Sequence, residues 1–152
     1  MAKSSAGILL YRFHLGTLQV LLAHPGGPFW AKKDLGSWSI PKGEFSEPEQ
    51  PLEAALRELE EETGIIASGN LIELSPVKQK GGKTILAWAA AGNAELALLK
   101  SNFFSLEWPP RSGKFQEFPE VDKLEWFTIS EAEKKINPAQ IPILHELTSL
   151  LV

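Results

Sequence analysis

Glutamates gather in one stretch of this 152-residue chain. Positions 44–62 hold eight of them and a single arginine, Arg57. Glu58, Glu61 and Glu62 stand at i, i+3 and i+4 of a segment with helical periodicity, so their carboxylates share one helix face. Like charges that close repel by roughly a few tenths of a kcal/mol per pair on a helix surface. A hard divalent cation that prefers oxygen ligands, Mg²⁺ or Mn²⁺, would offset the repulsion. A run of glutamates on a helix also reads as a solvated face. The acids alone leave both readings open.

The elements that must position these acids follow from local signals. Pro51 suits a first helical turn and Gly64 a helix end, which predicts a helix over 51–63. Leu52, Ala55, Leu56 and Leu59 recur at helical spacing and predict its buried stripe. Upstream, 6–13 and 18–24 are apolar, partly β-branched and separated by a link containing Gly16. They read as a hairpin or two neighbouring strands. Residues 25–37 are rich in Gly and Pro and read as a surface loop, followed by a short extended piece at Trp38–Ile40.

Downstream, 70–78 and 83–91 read as extended, turning at Gly81-Gly82. Residues 94–100 read as a short helix or part of a loop. The stretch 101–120, centred on Trp108-Pro109-Pro110, reads as irregular, and a loop of that length is often functional. A strand is predicted over 122–128, then a short helix over 131–136 capped by Ser130, then a final amphipathic helix over 139–151. Strands and helices intermix, which predicts an α/β or α+β class with one mixed sheet. The length suits a single domain, 1–152.

Composition narrows the function classes. With 43% hydrophobic and 22% charged residues the chain has enough apolar surface for a core, which argues against disorder. The absence of cysteine excludes disulfides, thiolate metal sites and cysteine nucleophiles. A net charge of −4 argues against a duplex nucleic acid partner. That charge is uneven: outside 44–62 there are 14 basic and 11 acidic side chains, a mildly basic body suited to an anionic substrate. No apolar run approaches the ~20 residues of a spanning helix. The start Met1–Ser5 is short and polar, so the cytoplasm is expected and a membrane is not. Ser37, Ser39 and Ser112 lack a nucleophile-elbow pattern. His14, His24 and His145 are expected to be structural or solvent-facing, His24 alone lying where it could approach the acids.

The full spacing is more specific than the acids. Gly43, five residues, Glu49, seven residues, then Arg57-Glu58-Leu59-Glu60-Glu61-Glu62-Thr63-Gly64-Ile65 resembles the Nudix box at every fixed position. The resemblance implies an α/β/α sandwich with a mixed β-sheet and a loop–helix–loop catalytic motif. It implies hydrolysis of a nucleoside diphosphate linked to another moiety, with Mg²⁺ or Mn²⁺ as cofactor. Position by position, it implies that Glu61 and Glu62 are metal ligands and that Glu58 is a ligand or the general base. The Gly43 carbonyl would be a further ligand. Glu49, Arg57 and Gly64 would be structural, Arg57 pairing acids that hold the loop to the helix. Members of the family often supply one more acid from outside the box, for which Glu120 is the first candidate and Glu117 the second.

The run Trp38-Ser39-Ile40-Pro41-Lys42-Gly43 resembles the entry to the box in diadenosine polyphosphate hydrolases. That favours a dinucleoside polyphosphate, ahead of nucleoside triphosphates and nucleotide sugars. An RNA 5′ end and a non-catalytic nucleotide-binding module are the rivals. Two features of that branch are missing. A tyrosine expected beyond the box is replaced by the Gly81-Gly82-Lys83 region, and a histidine by Glu44. Lys42 is placed to hold a phosphate oxygen as a point charge. Trp30, Trp38, Phe103, Phe104, Trp108, Phe115 and Phe118 are candidates for stacking a base, worth ~1–3 kcal/mol, and Trp38 is the one expected to bind substrate. Arg111 and Lys114, with Lys32 and Lys33, are candidates for a polyphosphate tail. The sequence does not indicate an oligomeric state.

Overall fold

A computed structural model describes residues 4–67, 69–79, 81–93 and 103–151. The central sheet begins with the antiparallel pair β1 (Ser4–His14) and β2 (Thr17–Pro25), which turn at Leu15-Gly16. The short β3 (Lys42–Glu44) then pairs with β1, followed by helix α1 (Pro51–Thr63). Strands β4 (Leu71–Glu73) and β5 (Val77–Lys78) both pair antiparallel with β6 (Thr84–Ala91). β6 lies parallel to β1 over Ser4–Tyr11, which makes the sheet mixed. A separate hairpin, β7 (Phe103–Glu107) and β8 (Phe115–Pro119), leads into β9 (Val121–Thr128), which returns to pair with β2. Helices α2 (Ile129–Lys135) and α3 (Ile141–Leu151) follow, joined through a 3₁₀ turn at Pro138–Gln140. Among the described residues the sheet has seven strands, with β4-β6-β1-β2-β9 as its main path.

Two apolar layers explain why helices cover both faces. Residues alternate along a strand, so Ile8, Leu10, Leu21 and Ala23 meet Ala54, Ala55 and Leu59 of α1. Leu9, Val20 and Leu22 point the other way and pack with Phe127, Ile143, Leu144 and Leu147 beside α3. The result is an α/β/α sandwich. Leu59 is fully buried, worth about 1.5–3 kcal/mol by area.

The sequence-based elements differ from the structure in three places. The stretch read as irregular over 101–120 holds the β7–β8 hairpin, whose five paired positions run from Phe103↔Pro119 to Glu107↔Phe115. Only Trp108–Lys114 is the turn. Helix α2 starts two residues earlier than expected: Thr128, not Ser130, is the N-cap, closing a capping box with Glu131. The α1 stripe is also rotated. Ala54, Ala55, Glu58, Leu59, Glu62 and Thr63 are buried, whereas Leu52 and Leu56 are only partly covered. The segment 94–100 lies outside the described residues.

Candidate active site

Helix α1 is fixed at both ends. Pro51 opens it, where a missing N–H costs nothing. Gly64 closes it in the left-handed region at φ 79°, donating its N–H to the Glu60 carbonyl. Strand β3 is held against β1 by the pairs Gly7↔Lys42, Ala6↔Gly43 and Ser5↔Glu44, and this lays Gly43 over α1. A Cβ added at Gly43 would fall on the carboxyl group of Glu58. Glycine is required there by close approach, not by backbone angle.

Arg57 organises the acids around it. Its Nε and Nη2 donate to the two oxygens of Glu49 at 2.7 and 2.9 Å, a bidentate pair that ties the loop after β3 to the helix. Nη1 donates to Glu58 Oε1 at 3.0 Å and to Glu61 Oε2 at 2.8 Å. The hydrogen bond from Arg57 holds the Glu49 carboxyl below its ordinary range.

Glu58 and Glu62 are buried, 9% and 7% exposed, beside one another on the inner side of the helix. Burial first, and then the neighbouring Glu58, push the Glu62 carboxyl up to about 9. Glu120, at the junction of β8 and β9, faces them across a pocket of about 140 Å³ that Lys42 and Glu62 also line. Its carboxyl is raised by burial and by Glu58 and Glu61. Lys42 is pulled the opposite way for a cation. Burial and the nearby Lys83 lower it, against the opposing pull of Glu62, Glu44 and Glu58. Lys83, which pairs with Glu44 at 3.0 Å, is a basic group that sequence reasoning did not assign to the site. Its only signal was its place after the Gly81-Gly82 turn.

These groups form an anionic pocket with a cationic wall. The donors are hard oxygens, and a buried acid pair that retains a proton is the kind of site where a divalent cation replaces that proton. Among the described residues no three acidic or histidine side chains converge on one point in the rotamers present. In these rotamers Arg57 engages one oxygen of Glu58 and one of Glu61.

The protein-family model described as "NUDIX domain" matches residues 1–147. The chain belongs to the Nudix family. Among Nudix relatives, the rat bis(5′-nucleosyl)-tetraphosphatase [asymmetrical] is 35% identical over 102 residues, covering 59% of this chain and 65% of that enzyme. The match therefore spans less than two thirds of the rat enzyme's length. An RNA pyrophosphohydrolase from Xylella fastidiosa is 40% identical over 57 residues, which are 37% of this chain and 29% of that protein. Of solved structures, a C. elegans Ap4A hydrolase binary complex superposes with a TM-score of 0.66 at 23% identity, covering 99% of this chain and 98% of that one. The NUDIX domain of Shewanella oneidensis NrtR complexed with ADP ribose gives 0.71 at 16% identity, covering 100% and 90%. At these identities the likeness concerns the fold.

The structure draws Gly43, Lys42, Glu58, Glu62 and Glu120 of this Nudix domain to one place, with Glu61 and Glu49 joined to it through Arg57. Other expected residues lie elsewhere. Trp38 is 2% exposed and cannot stack a base. Its ring packs edge-on against His24 and Phe127, and its Nε1 donates to Asp34 at 2.8 Å. The extended piece around it is bridged to the sheet through Ser39↔Ala23 and to the chain after α2 through Trp38↔Ile136, which draws the indole inward. Arg111 and Lys114 are exposed in the turn of the β7–β8 hairpin. At ~3.3 Å per residue that turn stands roughly 17 Å along β8 from Glu120. Glu117 is exposed on the hairpin, opposite Ser105, and lines no part of the acid pocket. His24 is buried and lies between Asp122 and the Lys33 carbonyl.

Among the described residues no helix is long and apolar enough to cross a membrane.

Proposed function

We propose that this chain is a divalent-metal-dependent pyrophosphohydrolase that cleaves a phosphoanhydride bond of a nucleoside polyphosphate, with dinucleoside polyphosphates as the favoured substrates. The observation that carries this reading is the buried Glu58–Glu62 pair under Gly43, with Glu120 and Lys42 on the facing walls. Glu58, Glu61, Glu62, Glu120 and the Gly43 carbonyl would hold Mg²⁺ or Mn²⁺. The ion, when bound, supplies neutralisation of phosphate charge and activation of water. Lys42 binds and orients a phosphate oxygen, and its burial makes that charge more effective than it would be in solvent. A box carboxylate takes the proton from the attacking water. The Arg57–Glu49 pair keeps the helix and the loop in register, so the acids meet the phosphate at fixed distances.

The similarity to the rat tetraphosphatase supports the dinucleoside class. The shorter match to an RNA pyrophosphohydrolase supports a second reading, an RNA 5′ end. One assay addresses both. The protein is incubated with Mg²⁺ and a diadenosine tetraphosphate, a nucleoside triphosphate, a nucleotide sugar or a 5′-triphosphorylated oligonucleotide. The dinucleotide is expected to give the highest kcat/KM, and Glu61→Gln to lower it by roughly 10²–10⁴. Equal turnover by the variant would remove Glu61 from the chemistry.

A further inference from the structure

Ser39 and Ile40 form part of the lining of the acid pocket, and a glutamine from the far end of the chain stands behind them. Gln140 is fully buried. It ends the 3₁₀ turn Pro138–Gln140, which Asn137 caps by accepting the Ala139 N–H at 3.0 Å. Asn137 donates its own N–H to the Trp38 carbonyl at 2.8 Å. The turn is thereby strapped to the extended piece that leads to Lys42.

The Gln140 amide joins two segments. Ser39 spends its N–H and its carbonyl on the bridge to Ala23, at 3.0 and 2.8 Å. Backbone groups alternate in direction along an extended chain, so the Ile40 N–H points away from β2. Gln140 Oε1 accepts it at 3.1 Å. A backbone N–H can only donate, which fixes the way the amide faces. Nε2 therefore donates on its other side, to Ser39 Oγ at 3.0 Å and to Gln79 Oε1 at 3.1 Å. Gln79 closes the turn after β5. Its N–H donates to the Lys83 carbonyl at 2.8 Å, and its carbonyl accepts the Gly82 N–H at 3.0 Å. One amide thus holds both the segment that enters Lys42 and the turn that delivers Lys83.

Packing alone does not call for an amide here. An apolar side chain of the same length would fill the space without the cost of burying polar atoms. The two segments also meet again beyond the amide. Lys83 pairs with Glu44, two residues past Lys42, and lies close enough for its charge to lower Lys42. Two cations held near one another repel, so their placement needs a brace. We propose that Gln140 is a positioning residue for phosphate binding, its amide fixing the spacing of Lys42 and Lys83. The inference rests on the reading of Lys42 as the group that holds a phosphate oxygen. Gln140 acts through the backbone of Ile40 and the turn at Gln79. Its side chain supplies one acceptor and two donors in a single plane, whereas a glutamate would supply acceptors alone.

The test reads binding apart from turnover. Inorganic pyrophosphate is titrated calorimetrically onto the full chain in Mg²⁺, and steady-state kinetics are taken with diadenosine tetraphosphate. Gln140→Met keeps the length of the side chain and removes its hydrogen bonds. It is expected to weaken pyrophosphate and to raise KM about tenfold, with kcat held within about twofold, because lost ground-state positioning appears in KM. In a Lys42→Met background the same substitution should add less than about twofold, since the group it positions is gone. A residue that serves only the fold would cost the same in both backgrounds. Gln79→Met cuts only the link to the Lys83 turn and is expected to weaken pyrophosphate about threefold, an effect that Lys83→Met should abolish. It decides the matter if circular dichroism shows that Gln140→Met does not fold. Parental pyrophosphate affinity in the folded variant, or an equal loss with and without the lysine, overturns the positioning role, and turnover by that variant leaves the hydrolase reading standing. Coupling to the lysine in a chain that hydrolyses no nucleoside polyphosphate keeps the positioning role and removes the hydrolase reading.

Discussion

Helix α1 and the β7–β8 hairpin stand on opposite sides of Glu120 and are built on different physics. In α1 paired charge is the organising feature: Arg57 gathers Glu49, Glu58 and Glu61, and the glycine at 43 leaves room for one carboxyl group. All of this comes from residues close in sequence, on β3, the loop after it and the helix. The hairpin has no such network at its centre. Its inner face is Phe104, Leu106 and Phe118, set against a loop some eighty positions earlier in the chain. The acids of the candidate site are held by local charge pairs. The apolar face of the hairpin is held by distant packing.

The contrast is broken most severely at Gly43. Gly43→Val drives a side chain onto Glu58, and a misplacement on the order of 1 Å is expected to lower kcat/KM about 100-fold. Steady-state kinetics alongside circular dichroism would check this. A folded variant with parental kinetics would mean that the Glu58 position does not matter.

The buried acid pair makes a prediction about stability. The folded, metal-free chain holds a proton on Glu62 up to about pH 9, whereas the unfolded chain releases it near its ordinary value of 4.5. The folded state thus binds more protons in that window. This contribution to stability is complete below about 4.5 and is lost as pH rises towards about 9. Urea midpoints in a chelator should fall across that range and fall less steeply in Glu62→Gln. Excess Mg²⁺ should raise the midpoints at the alkaline end. An identical slope in the variant would show that the proton is held elsewhere.

The smallest effect is expected at the far end of the hairpin. Arg111→Ala and Lys114→Ala lie in an exposed turn and should alter kcat/KM by no more than about twofold. A tenfold rise in KM for a polyphosphate substrate would restore them as tail contacts and would require the hairpin to bend inward.

The same division decides what could be read from the sequence. Helix α1 was legible to the residue because Pro51 and Gly64 are start and stop signals in the chain itself. The acid spacing was legible for the same reason, and Glu120 because it precedes a readable strand. Trp38 was misplaced. Its Gly- and Pro-rich approach suggests a loop, while the bridges that bury it come from Ala23 and Ile136. The hairpin was hidden because five-residue strands around a Trp-Pro-Pro-Arg-Ser-Gly turn give little periodic signal, and because the loop it packs against is distant in sequence. The rotation of the α1 stripe escaped because a glutamate is ordinarily read as outward-facing. Here Glu58 and Glu62 lie inside.

Strand β9 has a consequence of another kind. Among the described residues it ends the sheet, paired only with β2, and at eight residues it is long enough to template the backbone of a second chain. Asp122, Lys123 and Glu125 punctuate it with charge, Lys123 and Glu125 as exposed side chains. An edge interrupted by charge in this way disfavours pairing with the backbone of a second chain, and the same strand begins next to Glu120 of the acid pocket.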